Sequence, residues 1–377
     1  MKIHPSFKQL FISAMMLCAL LMLLIPMQKG MARHNQRPAA AEPTPLPIAV
    51  PDAVKDKIEP AVIQRFSETP QKLVAVIIQL KDKANLESIV EGRDSKSLNE
   101  VKLQREEVVQ ALKETAQRSQ PPVLALLNQG IQAQEVSKDV VSFFIVNAIA
   151  ATINQDMLVK LAELPQVEHI YPDVVIQIPP EEMNAMQASG NDVDVSGVAW
   201  GVAKVRADKV WNELGITGKG IVVGSIDTGV ARDHPALKDK YRGNRTYQVY
   251  SFRDFVDMQP IPYDDHGHGT HVMGIIMGDG GPMQKIGIAP GAEWIAAKAI
   301  DAQGYGLGRS LLMAMEWIMA PEGVARLAPD IVSNSWGGPC DSRDVYFRQA
   351  IQSWRAAGII PVFSAGNRGC LLYTSDA

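Results

Sequence analysis

Between Ile221 and Ile226 the chain reads IVVGSI, and it then turns on Asp227-Thr228-Gly229. A short apolar run closed by a turn signal is the pattern of a buried strand. The strand delivers Asp227 at its carboxyl end, where open α/β sheets gather functional groups. An aspartate before glycine is also a common turn former, so Asp227 alone does not separate chemistry from a turn.

Downstream, Asp264-Asp265-His266-Gly267-His268-Gly269-Thr270-His271 runs into the apolar stretch Val272 to Met277. The glycines make the first half a loop and the second half reads as a helix, which puts His268 at a helix N-terminus. Three histidines with a carboxylate nearby would satisfy a zinc ion. Against a metal, the spacing is not the helical H-E-x-x-H, and a glycine loop does not require the histidines to converge. Asp264 and Asp265 read as a solvated loop pair, with a cation contact as the alternative.

Composition divides the rest of the 377 residues. Residues 1–33 carry four basic side chains and no acid, leaving 33 basic against 41 acidic downstream. The net charge of −4 gives no reason to expect a nucleic-acid partner. Lys2 and Lys8 precede a nearly unbroken apolar run from Leu10 to Met27. Residues 1–32 therefore read as a secretory signal peptide, with an uncleaved anchor at the outer face of the membrane as the alternative. Residues 33–53 are a Pro/Ala-rich linker. Three cysteines (Cys18, Cys340, Cys370) exclude a disulfide-dense scaffold.

Residues 54–179 carry the pattern of a small α+β unit. Lys72–Lys81 reads as a buried strand and Asn99–Gln117 as an amphipathic helix, followed by a break at Pro121-Pro122 and a short apolar helix. Asp139–Thr152 reads as one strand region, Asp156 as the cap of a further helix, and Val167–Ile178 as a closing strand. With room for one more strand near 133–138, the order predicts a ferredoxin-like split βαβ sandwich. Residues 180–196 are an acidic, unpatterned linker that a protease could cut.

The I-D-T-G strand end and the H-G-T-H-V-x-G segment, in this order, resemble the subtilisin-like serine proteases. The resemblance continues through Gly304-Tyr305-Gly306, Ser335-Trp336-Gly337 and Ser364-Ala365-Gly366-Asn367, and covers nearly all of 197–369. It implies a parallel sheet with flanking helices, an Asp-His-Ser triad with Asp227 and His268 as two members, and Asn367 as oxyanion donor. It further implies two edges that bind a polypeptide substrate. One is Gly304, Tyr305 and Gly306; the other is Ser335, Trp336 and Gly337, with Ser364, Ala365 and Gly366 as a second pocket wall. On the same resemblance, 54–179 is a propeptide that acts in cis as chaperone and inhibitor. No cofactor is implied for the chemistry; structural calcium is implied, with ligands that the sequence does not mark.

The chemistry of the residues agrees with that reading. His268 would serve as general base toward a serine and then as general acid, Asp227 would fix its tautomer, and Asn367 would stabilise the oxyanion. The nucleophile's expected G-T-S-x-A setting does not occur in the chain. The string Cys370 to Ala377 reads as the in-frame translation of a transposase-type sequencing adapter. The expectation is therefore a secreted endopeptidase zymogen, present as an inactive fragment whose catalytic part is 197–369 and whose last eight residues, 370–377, are not biological. Two other readings remain: a non-catalytic pseudoprotease or propeptide-type inhibitor, and a metallohydrolase using His266, His268 and His271.

Overall fold

A computed structural model describes residues 50–69, 73–91, 97–178, 197–281, 284–337 and 345–365. The leader, the 180–196 linker and the 370–377 string lie outside the described residues, as do Cys340, Gly366 and Asn367. Among the described residues no helix is long and apolar enough to cross a membrane.

After a one-turn helix at Asp52–Lys55, the first segment continues with helix α1 (Pro60–Glu68), whose proline stands in the first turn where its missing N–H costs nothing. Strand β1 (Val74–Leu80) follows, and then α2 (Leu98–Ser119). Ser97 and Glu100 close a reciprocal capping box at the start of α2. Helix α3 (Pro121–Gln132), strands β2 (Val141–Phe143) and β3 (Ala148–Ile153), helix α4 (Gln155–Glu163) and strands β4 (Val167–Pro172) and β5 (Val175–Gln177) complete it. The sheet order β2-β3-β1-β4, antiparallel throughout, is the split βαβ arrangement expected from the pattern.

Four local expectations need correction. Asp139–Thr152 is not one strand but the hairpin β2–β3, turned at Asn147 with φ +47°. Asparagine reaches that left-handed conformation more readily than other side chains, and no glycine or proline announces the turn. No strand forms at 133–138; Val136 makes only an isolated bridge to Ile153. Helix α4 is capped by Asn154, which accepts from the Met157 amide at 2.9 Å, while Asp156 lies inside the first turn. Finally, Val167–Ile178 is two strands that belong to different sheets.

The second segment supplies helix α5 (Ala207–Leu214) and strands β6 (Val222–Asp227) and β7 (Phe252–Asp254). Helix α6 (His268–Met277), strands β8 (Glu293–Lys298) and β9 (Tyr305–Leu307), and helix α7 (Gly308–Met319) come next. Strand β10 (Ile331–Asn334), helix α8 (Val345–Ala356) and strand β11 (Ile360–Phe363) follow. Its sheet, ordered β11-β10-β6-β8-β7, is wholly parallel, so β6 is central and ends at the sheet's carboxyl edge. An α/β fold with a parallel sheet between helices is therefore present, as the resemblance implied.

The two segments share an interior. One apolar cluster lies wholly in the first (Val62, Phe66, Ile78, Leu127, Leu158), and a second wholly in the second segment (Val223, Trp294, Met273). A third joins Ile77, Val108 and Phe143 of the first segment to Leu311, Met315 and Trp354 of the second. The described residues form one compact unit.

Candidate active site

The end of β6 and the start of α6 are brought together by glycines. Gly267 takes φ +97° to turn the loop into α6. At Gly269 an added Cβ would lie 2.1 Å from the Gly229 carbonyl oxygen and 3.1 Å from Asp227 Cβ. Helix α6 can therefore approach the strand end only because position 269 has no side chain.

That approach sets His268 against Asp227. His268 Nδ1 donates to Asp227 Oδ1 across 2.7 Å, with both residues buried. The same oxygen accepts from the Thr228 amide at 2.7 Å, while Oδ2 is buried with no hydrogen-bond partner among the described residues. An ionised carboxylate held this way fixes the tautomer with the proton on Nδ1, leaves Nε2 as acceptor, and stabilises a positive charge on the ring.

The supporting network was not legible in the motif. Thr228 Oγ1 accepts from the Gly269 amide at 2.9 Å and donates to Asp264 Oδ1 at 2.9 Å. Asp264 also accepts from the amides of His266, Gly267 and Thr270 and from the Thr270 hydroxyl at 2.6 Å. Although burial opposes it, these donors hold the Asp264 carboxyl below its ordinary range. Asp265 pairs at 2.7 Å with the ammonium of Lys298, a fully buried lysine that also donates to the Thr228 and Ile300 carbonyls. The reading of Asp264-Asp265 as a solvated pair is thus corrected for Asp264, whose carboxylate organises the loop, while Asp265 stays exposed and also neutralises a buried ammonium. A lysine closing the apolar strand EWIAAK was the available signal.

The other two histidines take different positions. The ring of His266 stands at 76° to that of His268, with centroids 6.2 Å apart. His271 is half-buried, and burial, then His268, lowers its pKa. Among the described residues no group of three or more His, Cys, Asp or Glu side chains has the arrangement of a metal site.

Of the expected substrate edges, Gly304, Tyr305 and Gly306 form a border occupied by the chain itself, with both glycines buried and Tyr305 exposed. Strand β5 pairs antiparallel with β9, matching Val175 to Leu307, Ile176 to Gly306 and Gln177 to Tyr305. The Ile178 amide donates to the Gly304 carbonyl and the Gly308 amide to the Val174 carbonyl, each at 2.8 Å. Ile176 and Ile178 are buried, whereas Val175 is exposed. On the opposite border, Ser335, Trp336 and Gly337 follow β10, and the buried Trp336 ring packs edge-on against Phe363. Ser364 donates its amide to the Asn334 carbonyl, and Ser364 and Ala365 are exposed.

Glu316, on α7, was not singled out from sequence. Its carboxylate accepts from the Phe144 and Ile145 amides at 2.6 and 3.0 Å, joining the second segment to the β2–β3 hairpin. Burial there pushes its pKa up to about 7, against the two amides and Lys113.

Residues 218–376 match the subtilase family. Bacillopeptidase F of Bacillus subtilis (strain 168) is 38% identical over 342 residues, covering 84% of this chain and 23% of that protein. M-protease of Shouchella clausii (strain KSM-K16) is 29% identical over 250 residues, covering 64% and 60%. Subtilisin BL of Lederbergia lenta is 33% identical over 172 residues, covering 46% and 56%. The chain spans less than two thirds of the length of these relatives.

Proposed function

We propose that the chain, whose residues 218–376 match the subtilase family, is part of a secreted serine endopeptidase zymogen that hydrolyses peptide bonds with an Asp-His-Ser triad. The observation that carries this reading is the buried pair of Asp227 and His268 at 2.7 Å, at the carboxyl end of the central parallel strand.

In this reading His268 Nε2 takes the serine proton as the hydroxyl attacks the scissile carbonyl. It then returns the proton to the leaving amine. Asp227 holds the ring and offsets its transient charge. Asn367 donates to the oxyanion, an interaction worth about 10²–10³ in rate in such sites. The G-T-S-x-A setting expected for the serine does not occur in this sequence. A polypeptide substrate lies as a strand between Gly304-Tyr305-Gly306 and Ser335-Trp336-Gly337, with Ser364, Ala365 and Gly366 lining the pocket.

Residues 54–179 act as a propeptide in cis, and 180–196 is the segment cut on maturation. The pairing of β5 with β9 supports this, because an extended segment already occupies the edge a substrate would use. The leader directs export, with membrane anchoring only if it stays uncleaved.

Full-length protein expressed from the complete gene tests the reading. The expected result is casein hydrolysis that survives chelation and is abolished by a serine-directed phosphonate. Activity lost to the chelator and untouched by the phosphonate would favour metal-dependent hydrolysis. An alanine or glycine at the serine position would favour the pseudoprotease.

A further inference from the structure

The strand that occupies the substrate edge is followed upstream by a buried ion pair with no role in the chemistry described so far. Asp173 directly precedes Val174, whose carbonyl is the last edge contact before the chain turns toward β4. The Asp173 carboxylate is 1% exposed, and both its oxygens face one residue of the catalytic segment, Arg309 in the first turn of α7. Oδ1 accepts from the Arg309 backbone amide at 2.9 Å, and Oδ2 accepts from its Nε. The rest of the guanidinium donates to Asp139 Oδ2 at 2.6 Å and Thr152 Oγ1 at 3.1 Å.

Two features make this more than an anchor for the first segment. Every acceptor of the Arg309 side chain among the described residues belongs to residues before 179, so departure of that segment leaves the guanidinium in water at the rim of the substrate edge. The neighbouring position is also shaped for a carboxylate, since a Cβ on Gly308 would lie 3.0 Å from Asp173 Oδ1. A backbone amide, a fork of guanidinium donors and an absent side chain converge on one oxyanion-sized place, three residues upstream of the residue that pairs with Gly306.

We propose that Arg309 determines specificity in the matured protein by selecting substrates with an acidic residue at the place held here by Asp173. The inference rests on the protease reading only in taking β5 to lie as a substrate does. It deepens that reading by naming a substrate class: extended peptides with Asp or Glu three positions before the residue opposite Gly306.

The test uses full-length protein processed within 180–196 and freed of the first segment. Fluorescently labelled octapeptides with the sequence of residues 171–178 are used, carrying Asp, Asn or Lys at the third position. Binding is read by anisotropy, independently of hydrolysis. The Asp peptide is expected to bind roughly five- to tenfold more tightly than the Asn peptide, a discounted share of a charge-assisted bond at an exposed rim. The Lys peptide should bind weaker still, and the preference should shrink in high salt. Arg309→Gln is expected to bring the Asp-to-Asn ratio close to one. If that variant does not fold, the Asp, Asn and Lys series in the wild type still decides. Equal affinities, or no saturable binding of the Asp peptide, would overturn the proposal. Casein hydrolysis by the same preparation tests the protease reading separately, so either can fail alone.

Discussion

Glu316 is a residue whose burial depends on the first segment being docked. Its carboxylate is desolvated against the β2–β3 hairpin, and its pKa rises from 4.5 to about 7. A carboxyl raised in the folded state binds more protons there than in the unfolded chain. Its contribution to stability is therefore full below about pH 4.5 and is lost as pH rises through about 7. Urea midpoints of the uncleaved protein across that window should fall with pH, and Glu316→Gln should flatten the slope; parallel slopes would contradict this. Asp227 argues at the same scale. Asp227→Asn would keep the shape but favour the wrong imidazole tautomer, and a loss of about 10⁴-fold in kcat is expected in the full-length enzyme. Asp227 and His268 were legible in the sequence because their own side chains stand inside motifs. Thr228, Asp264 and Lys298 were not, because they act by binding backbone groups or each other across segments distant in the chain.

The β6–α6 junction shows how an element sets the site. The 2.1 Å approach between the Gly229 carbonyl and a Cβ at position 269 leaves no space for even a methyl group. Gly269→Ala should push α6 from β6 and lengthen the Asp227–His268 contact. An ångström of misplacement costs on the order of 10²-fold in rate. The expected outcome is a fall of that size in kcat/KM, with overpacking lowering stability by about 1–3 kcal/mol. Unchanged kcat/KM would show that the junction yields elsewhere. Elements were read well where periodicity was long, as in α2, and poorly where one residue redirected the chain. Asn147 turns a hairpin without glycine, and Pro172-Asp173 ends β4 before β5 joins another sheet. The second break carried a turn signal in the sequence; the first carried none.

Across the whole molecule, the two segments are held by more than the occupied edge. Arg105 of α2 is buried in the second segment, donating to the Ala328 and Ala357 carbonyls and pairing with Asp330 at 3.2 Å. Burial lowers its pKa while Asp330 opposes the shift. Removing one partner of such a pair costs about 3–5 kcal/mol when fully buried, and Asp330 keeps some solvent, so Arg105→Ala should cost toward the lower end. With this contact and a common apolar cluster, the uncleaved chain should unfold in one transition seen alike by fluorescence and circular dichroism. Two separated transitions would mean that the segments fold independently.

The central claim is that the Asp227–His268 pair serves peptide hydrolysis, and self-processing of the full-length protein tests it most directly. Wild-type protein incubated after purification is expected to cut itself within residues 180–196 and then to hydrolyse casein, while His268→Ala stays intact and inactive. A wild type that never processes or hydrolyses casein, or a His268→Ala variant that does both at the wild-type rate, would contradict the account.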